Sequence, residues 1–268
     1  MSLQDKLVRL KRLISGYKSC VVAFSGGLDS AFLLKVCSMA LPADKILAVT
    51  AVSATYPEAE LSKAKVLAKD IGVRLKVIRT KELSNRKFTA NSTKRCYFCK
   101  KELFTRLLTI ARKNKFNFVL EASNLTDEKD YRPGNIAKKE LKIGSPLLKA
   151  GFSKEDIRKL SKKFGLSSWN KPSLACLASR IPYGLKITGR LLKRIDRAEL
   201  YLSSFGFKQV RLRHYNGLCR IEVEKGDLPK LLNNRQPIVE RLKGLGYNYV
   251  TVDLEGYRTG SLNEAINK

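Results

Sequence analysis

The stretch that most constrains this chain is Cys20-Val21-Val22-Ala23-Phe24-Ser25-Gly26-Gly27-Leu28-Asp29-Ser30. Its first part is a short, wholly apolar, β-branched run, which reads as a strand buried on both faces and hence as part of a parallel sheet covered by helices. After the Gly-Gly turn the chain resumes as a helix over Ala31 to Ala40, rich in Leu, Val and Met. Two glycines open conformations closed to other residues, so successive N–H groups can converge on one anion. The hydroxyls of Ser25 and Ser30 add donors, and the start of the helix adds its dipole. The expectation is a phosphate cradle, the plainer alternative being a Gly-Gly turn with a serine cap. No Gly-Lys-Ser/Thr closes the motif and it is not a G-x-G-x-x-G, so it is neither of the two commonest nucleotide loops.

The pattern on either side extends the same architecture. Leu3, Leu7, Leu10 and Ile14 mark one face of a helix, Ile46 to Val52 and Arg74 to Arg79 read as strands, and Glu58 to Ile71 is a helix closed by Gly72. Lys100 to Lys113 is helical, Phe118 to Ala122 a strand, and Lys154 to Phe164 a helix ended by Gly165. Strands alternating with helices predict a doubly wound parallel α/β domain over residues 1–166. Residues 167–188, with Trp169 and two prolines, read as an active-site or inter-domain loop. Over 189–268 the order changes to helix (Arg190 to Phe205), hairpin around Asn216-Gly217, helix (Asp227 to Leu242) and strand (Tyr247 to Leu254), a small α+β domain.

Lysine and arginine number 53 against 24 acidic residues, a formal charge of +29. That balance suits an anionic partner, and it equally suits a solvated ion-pair surface. No apolar run reaches the roughly 18 residues of a membrane span, and the first residues lack the h-region of a signal peptide, so a cytoplasmic protein with no membrane partner is expected. The six cysteines are too few and too irregularly spaced for a disulfide framework. Cys96 and Cys99 form a C-x-x-C among Arg95, Lys100 and Lys101 at a helix start, where dipole and cations favour thiolates. Half of a zinc site, a redox dithiol, two ligands of an iron–sulfur cluster and a purely structural pair all remain open for it. A third cysteine, Cys176, lies in the loop. Three cysteines suit a 4Fe-4S cube with one open iron, whereas zinc normally recruits a fourth ligand and the single histidine, His214, falls in the other domain. Cys20, Cys37 and Cys219 read as packing residues.

Ser25-Gly26-Gly27-Leu28-Asp29-Ser30 resembles the loop of the PP-loop, or N-type ATP pyrophosphatase, superfamily. Glu128 to Gly134, Trp169-Asn170-Lys171, Cys176, Ser179 to Gly184, Val210 to Arg213, Arg220 to Glu222, Val250 to Leu254 and Gly256 to Gly260 extend the likeness over nearly the whole chain, to the LarE family of ATP-dependent sulfur transferases. The resemblance implies that Ser25, Gly26, Gly27, Asp29 and Ser30 hold the β- and γ-phosphates of ATP, with Asp29 close to Mg²⁺. It implies thiolation of the two carboxylates of pyridinium-3,5-biscarboxylate mononucleotide, an intermediate of the nickel-pincer nucleotide cofactor of lactate racemase. Arg180, Arg211 and Arg213 become candidate clamps for this small-molecule nucleotide, because forked guanidinium donors match phosphate and carboxylate. Glu199, Glu222, Asp253 and Arg258 match family positions around the same pocket. The family has two sulfur strategies: a single cysteine, matching Cys176, that gives up its sulfur, or three cysteines that hold a cluster. Cys96, Cys99 and Cys176 make this chain resemble the 4Fe-4S type. A ring-like homo-oligomer such as a hexamer is also implied; the sulfide donor is not. The rival readings are a tRNA thiolase of the same superfamily, against which no separate RNA-binding module is visible, and a basic zinc- or nucleotide-binding module.

Overall fold

The computed structural model describes residues 1–129, 133–171, 175–258 and 260–262. In chain order its strands and α-helices are α1 (Leu3–Tyr17), β1 (Cys20–Ala23), α2 (Leu28–Ala40), β2 (Ile46–Val52), α3 (Glu58–Ile71), β3 (Leu75–Arg79), α4 (Arg86–Thr89), α5 (Arg95–Lys113), β4 (Phe118–Leu120), α6 (Gly134–Glu140), α7 (Pro146–Lys149), α8 (Lys154–Lys163), α9 (Gly189–Ser203), β5 (Val210–Tyr215), β6 (Leu218–Val223), α10 (Leu228–Asn233), α11 (Arg235–Gly244) and β7 (Tyr249–Val252). They pack as two units, one of Met1–Glu82 with Thr93–Leu174 and the other of Leu83–Ser92 with Ala175–Lys268. Asp130, Tyr131, Arg132, Pro172, Ser173, Leu174 and Thr259, which belong to the motifs above, lie outside the described residues.

The first unit contains the expected parallel sheet, in the order β3-β2-β1-β4. Side chains of a strand alternate between faces, and the two cores follow that period. Cys20 and Val22 of β1 and Ile46 and Ala48 of β2 pack with α1, α2 and α8. Val21, Leu47 and Val49 face the other way, against Phe104 and Leu107 of α5. Phe32 of α2 is fully buried, its ring 5.3 Å from Phe152 and 6.1 Å from Phe164. Helix ends are set locally. Ser2 with Asp5 and Ser153 with Asp156 form capping boxes at α1 and α8, and Gly72 closes α3 at φ +80°.

Two helices begin earlier than the apolar pattern predicts. Helix α2 starts at Leu28, which brings Asp29 and Ser30 into its first turn, and α5 starts at Arg95, which brings both Cys96 and Cys99 into the helix. Neither start carries a side-chain cap to mark it, the N-cap residues being Gly27 and Lys94.

The second unit has a three-stranded sheet in the order β5-β6-β7. Strands β5 and β6 form the expected hairpin, with Asn216 at φ +53°, while β7 joins β6 in parallel. The single helix expected over Asp227 to Leu242 is broken at Asn234 into α10 and α11. Pro237 lacks the N–H that a continuous helix would need and is tolerated in the first turn of a new one. Residues 83–92 join this unit through Asn91, fully buried at φ +55°, whose Nδ2 donates to the Pro182 and Leu185 carbonyls at 2.7 and 2.8 Å. No helix among the described residues is long and apolar enough to cross a membrane.

Removing the Phe32 ring opens a cavity among aromatic neighbours that cannot collapse into it. Phe32→Ala is expected to lower the unfolding free energy by about 3–5 kcal/mol, read from urea denaturation followed by far-UV circular dichroism.

Candidate functional site

Segments leaving the C-terminal ends of the parallel strands build the first part of the site, as expected for an open α/β sheet. After β1, Ser25 to Gly27 turn into α2, whose N-cap residue Gly27 has no side chain to close the first turn. The first N–H groups of the helix and their dipole therefore point out of its N-terminus toward any anion there. Ser30 Oγ donates to the Gly27 carbonyl at 3.1 Å, lies 3.1 Å from Ser25 Oγ, and accepts from Ser25 N at 3.3 Å. Gly26 sits at φ +71°, and a Cβ there would meet Ala64 Cβ of α3 at 2.9 Å. Conformation and space both require glycine at this point. Asp29 is half-buried in the first turn of α2, and the amide of Asn124, fully buried after β4, donates to its Oδ1 at 3.2 Å.

A second polar cluster lies after β4. Glu121, 8% exposed, pairs with Lys138 Nζ at 3.3 Å and accepts from Ser123 Oγ at 2.7 Å and from Ser145 Oγ. Burial by itself would raise this carboxyl. The charge of Lys138, the Ser145 hydroxyl, the charge of Lys100 and the Ser123 hydroxyl outweigh it and hold the carboxyl below the ordinary value.

The C-x-x-C pair lies at the start of α5, Cys96 in its first turn and exposed, Cys99 one turn on and half-buried. Cys99 Sγ lies 3.8 Å from Glu82 Oε1, which also accepts from Thr80 Oγ1 at 2.9 Å. Cys176 belongs to the second unit, exposed at the start of a 3-10 turn over Leu177–Arg180. Among the described residues no three Cys, His, Asp or Glu side chains are gathered as a metal-holding group. Cys20, Cys37 and Cys219 are fully buried, as their apolar surroundings predict.

Around Cys176 the second unit gathers arginines. Arg180, 2% exposed, forms a two-pronged pair with Glu199, Nε to Oε1 at 2.9 Å and Nη2 to Oε2 at 2.8 Å. Its Nη1 donates to the carbonyls of Ala175 and Cys176 at 2.8 and 3.2 Å, so this side chain shapes the backbone on which Cys176 is carried. Arg213 pairs in the same forked way with Glu222 at 2.9 Å for both bonds, and reaches the Ser179 carbonyl at 2.7 Å. Glu222, with no exposed surface, also accepts from Arg220 at 3.0 Å; Asp253 lies between Arg220 at 3.4 Å and Arg258 at 3.5 Å. Arg211 is the contrasting member. Its guanidinium lies over the Tyr257 ring at 5.6 Å, and burial followed by the nearby charge of Arg180 pushes its pKa down to about 10. A guanidinium held in unfavourable positive potential gains when an anion arrives.

The structure brings together Ser25, Gly26, Gly27, Asp29 and Ser30 in one unit, and Cys176, Arg180, Arg211, Arg213, Glu199, Glu222, Asp253 and Arg258 in the other. Sequence reasoning missed Asn124, Glu121, Lys138, Tyr56 and Glu60. A carboxylate directly after the apolar run of β4 was a usable signal for Glu121; the others are defined by partners far away along the chain.

Glu121 titrates near 4.5 when unfolded and lower when folded, so its contribution to stability is complete above about pH 4.5 and is lost as the pH falls through the folded value. Glu121→Gln leaves Lys138 buried without its counter-charge and is expected to cost about 3–5 kcal/mol at pH 7. Its melting temperature should also fall less steeply than the wild type's between pH 5 and about 3, in a thermal-unfolding series.

A sequence model described as NAD synthase matches residues 4–125, from α1 through the Ser25–Ser30 turn to just past β4. Over its whole length the chain is 35% identical to the pyridinium-3,5-bisthiocarboxylic acid mononucleotide synthase of Lactiplantibacillus plantarum, covering 97% of that protein. It is 38% identical over 99% of its length to an uncharacterised protein of Synechocystis, all of which it covers. An uncharacterised protein of Methanocaldococcus jannaschii is 31% identical over 95% of this chain and 98% of its own. Full-length identity at this level, on a parallel sheet whose first strand runs into Ser-Gly-Gly-Leu-Asp-Ser, places the chain in the LarE family of ATP-dependent sulfurtransferases, within the PP-loop superfamily.

Proposed function

We propose that this chain adenylates the two carboxylates of pyridinium-3,5-biscarboxylate mononucleotide and converts them to thiocarboxylates, a step of nickel-pincer nucleotide synthesis, with sulfur relayed through a 4Fe-4S cluster on Cys96, Cys99 and Cys176. The observation that carries the reading is the phosphate loop at the start of α2, in a chain 35% identical throughout to the synthase named for that product.

The chemistry follows from the electrophile. A carboxylate has only oxide to expel, so ATP must first convert it to an acyl-adenylate with AMP as leaving group. In this reading Ser25, Gly26, Gly27 and Ser30 receive the departing pyrophosphate, whose growing charge the N–H groups of α2 stabilise. Asp29, oriented by Asn124, is the carboxylate that would hold Mg²⁺, which supplies charge neutralisation on the phosphates. Reduced sulfur then attacks the acyl carbon, AMP leaves, and the cycle repeats on the second carboxylate. Arg211, Arg180 and Arg213 take the substrate's anionic groups, because forked guanidinium donors match phosphate and carboxylate.

The donor chemistry fits the cluster: Cys96 and Cys99 stand one turn apart at a helix start beside Arg95 and Lys100, and Cys96 and Cys176 are exposed. When bound, a cube on three cysteines offers one iron able to carry exogenous sulfide. The protein is read as cytoplasmic and homo-oligomeric, with substrate binding and assembly assigned to the second unit.

Anaerobically purified protein is expected to contain about four irons and four acid-labile sulfides per chain, both lost in Cys176→Ala. Asp29→Ala should abolish substrate-dependent pyrophosphate release, whereas Cys96→Ala should retain release and lose thiolation. Iron-free wild type that loses the mass of hydrogen sulfide from Cys176 after one turnover would establish the sacrificial alternative instead.

A further inference from the structure

The phosphate loop carries no lysine of its own, yet an ammonium group stands against it. Lys171, 145 residues beyond Gly26 along the chain and in the same unit, donates from Nζ to the Gly26 carbonyl at 3.2 Å and to the Glu60 carboxylate. The pair is largely buried, the Lys171 side chain 18% and the Glu60 side chain 9% exposed. Glu60 is further anchored by Lys63 at 3.1 Å on the next turn of α3. Burial alone would raise the Glu60 carboxyl, but Lys171 and Lys63 hold it below its ordinary value, so it stays a carboxylate. The preceding carbonyl is held in the same way: Tyr56 Oη donates to Ser25 O at 3.0 Å.

These two contacts act on consecutive peptide groups. No peptide bond here is cis, and in a trans peptide the C=O and the N–H it adjoins point in opposite directions. A donor on the Ser25 carbonyl therefore orients the Gly26 N–H, and a donor on the Gly26 carbonyl orients the Gly27 N–H, each away from the donor. Neither glycine has a side chain with which to restrain its own peptide, and Ala64 leaves no room for one at Gly26. Apart from one long contact within the loop, restraint on these two peptides comes from outside it. In this structure the Gly27 N–H meets Ser25 Oγ at 3.3 Å, a long contact that a phosphate oxygen can replace.

We propose that Lys171, held in place by Glu60, is a positioning residue of the phosphate loop, fixing the Gly26–Gly27 peptide with its N–H toward the β- and γ-phosphates of ATP. Tyr56 performs the same service for the peptide before it. The inference deepens the reading of this loop as the ATP site and rests on it. Because the loop faces the pyrophosphate portion, the effect is confined to ligands that contain that portion.

The test is calorimetric binding of MgATP, magnesium pyrophosphate and AMP to the full chain and its variants. Lys171→Met is expected to weaken MgATP and pyrophosphate about tenfold and to leave AMP within about twofold, with Lys171→Arg, which keeps a cationic donor, recovering most of the loss. Tyr56→Phe, which removes only a hydroxyl, should show the same split at about threefold and covers the case in which Lys171→Met does not fold. Equal weakening of all three ligands, or unchanged binding of all three, overturns the positioning role. Failure of the wild type to bind MgATP at all overturns the ATP-site reading, and the inference with it.

Discussion

Everything at the Ser25–Gly27 turn depends on how closely helix α3 can approach it. At Gly26 the loop backbone packs onto Ala64 with no space for even a methyl group, and the left-handed φ of +71° excludes most other residues independently. The contact sets where α3 lies, and α3 in turn carries Glu60, whose carboxylate anchors Lys171 behind the loop. Strand, loop, helix and lysine thus form one closed set of contacts around a turn whose residues have almost no side chains. A loop built of glycine is free to approach a phosphate closely, and the same freedom makes it indifferent to which way its N–H groups face.

A second constraint is charge. With 53 cations against 24 anions, the placement of the carboxylates decides the local geometry of the arginines and lysines. Glu222 gathers Arg213 and Arg220, Asp253 gathers Arg220 and Arg258, Glu199 grips Arg180, and Glu121 sits against Lys138. Buried ion pairs of this kind are weak evidence for stability, because desolvation offsets much of the attraction. Their consequence is geometric. Arg180 and Arg213 are locked as planar forks around the backbone that bears Cys176, and burial, then the nearby charge of Arg180, lowers the pKa of Arg211 beside them.

The sequence was readable wherever structure is dictated by neighbours along the chain. The continuous apolar, β-branched runs of Cys20 to Ala23 and Ile46 to Val52 marked strands buried on both faces, and the order of elements led to a parallel sheet. Gly72 and Asn216-Gly217 announced a helix end and a hairpin through their own backbone preferences. The starts of α2 and α5 were harder. Gly27 and Lys94 provide no side-chain cap, so only the folded backbone shows Asp29, Cys96 and Cys99 to be helical.

The sequence by itself therefore determined the sheet and the glycine turn that runs from its first strand into α2, because each is a local pattern of backbone freedom or burial. Tertiary structure alone decided which charges meet. Lys171 with Glu60, Glu121 with Lys138, Arg213 with Glu222 and Asn124 with Asp29 are brought together by packing over long or unpatterned separations. An ion pair or side-chain hydrogen bond has no periodicity of its own, and in a chain with this many lysines and arginines each carboxylate has many candidate partners. Only closure of the fold selects one.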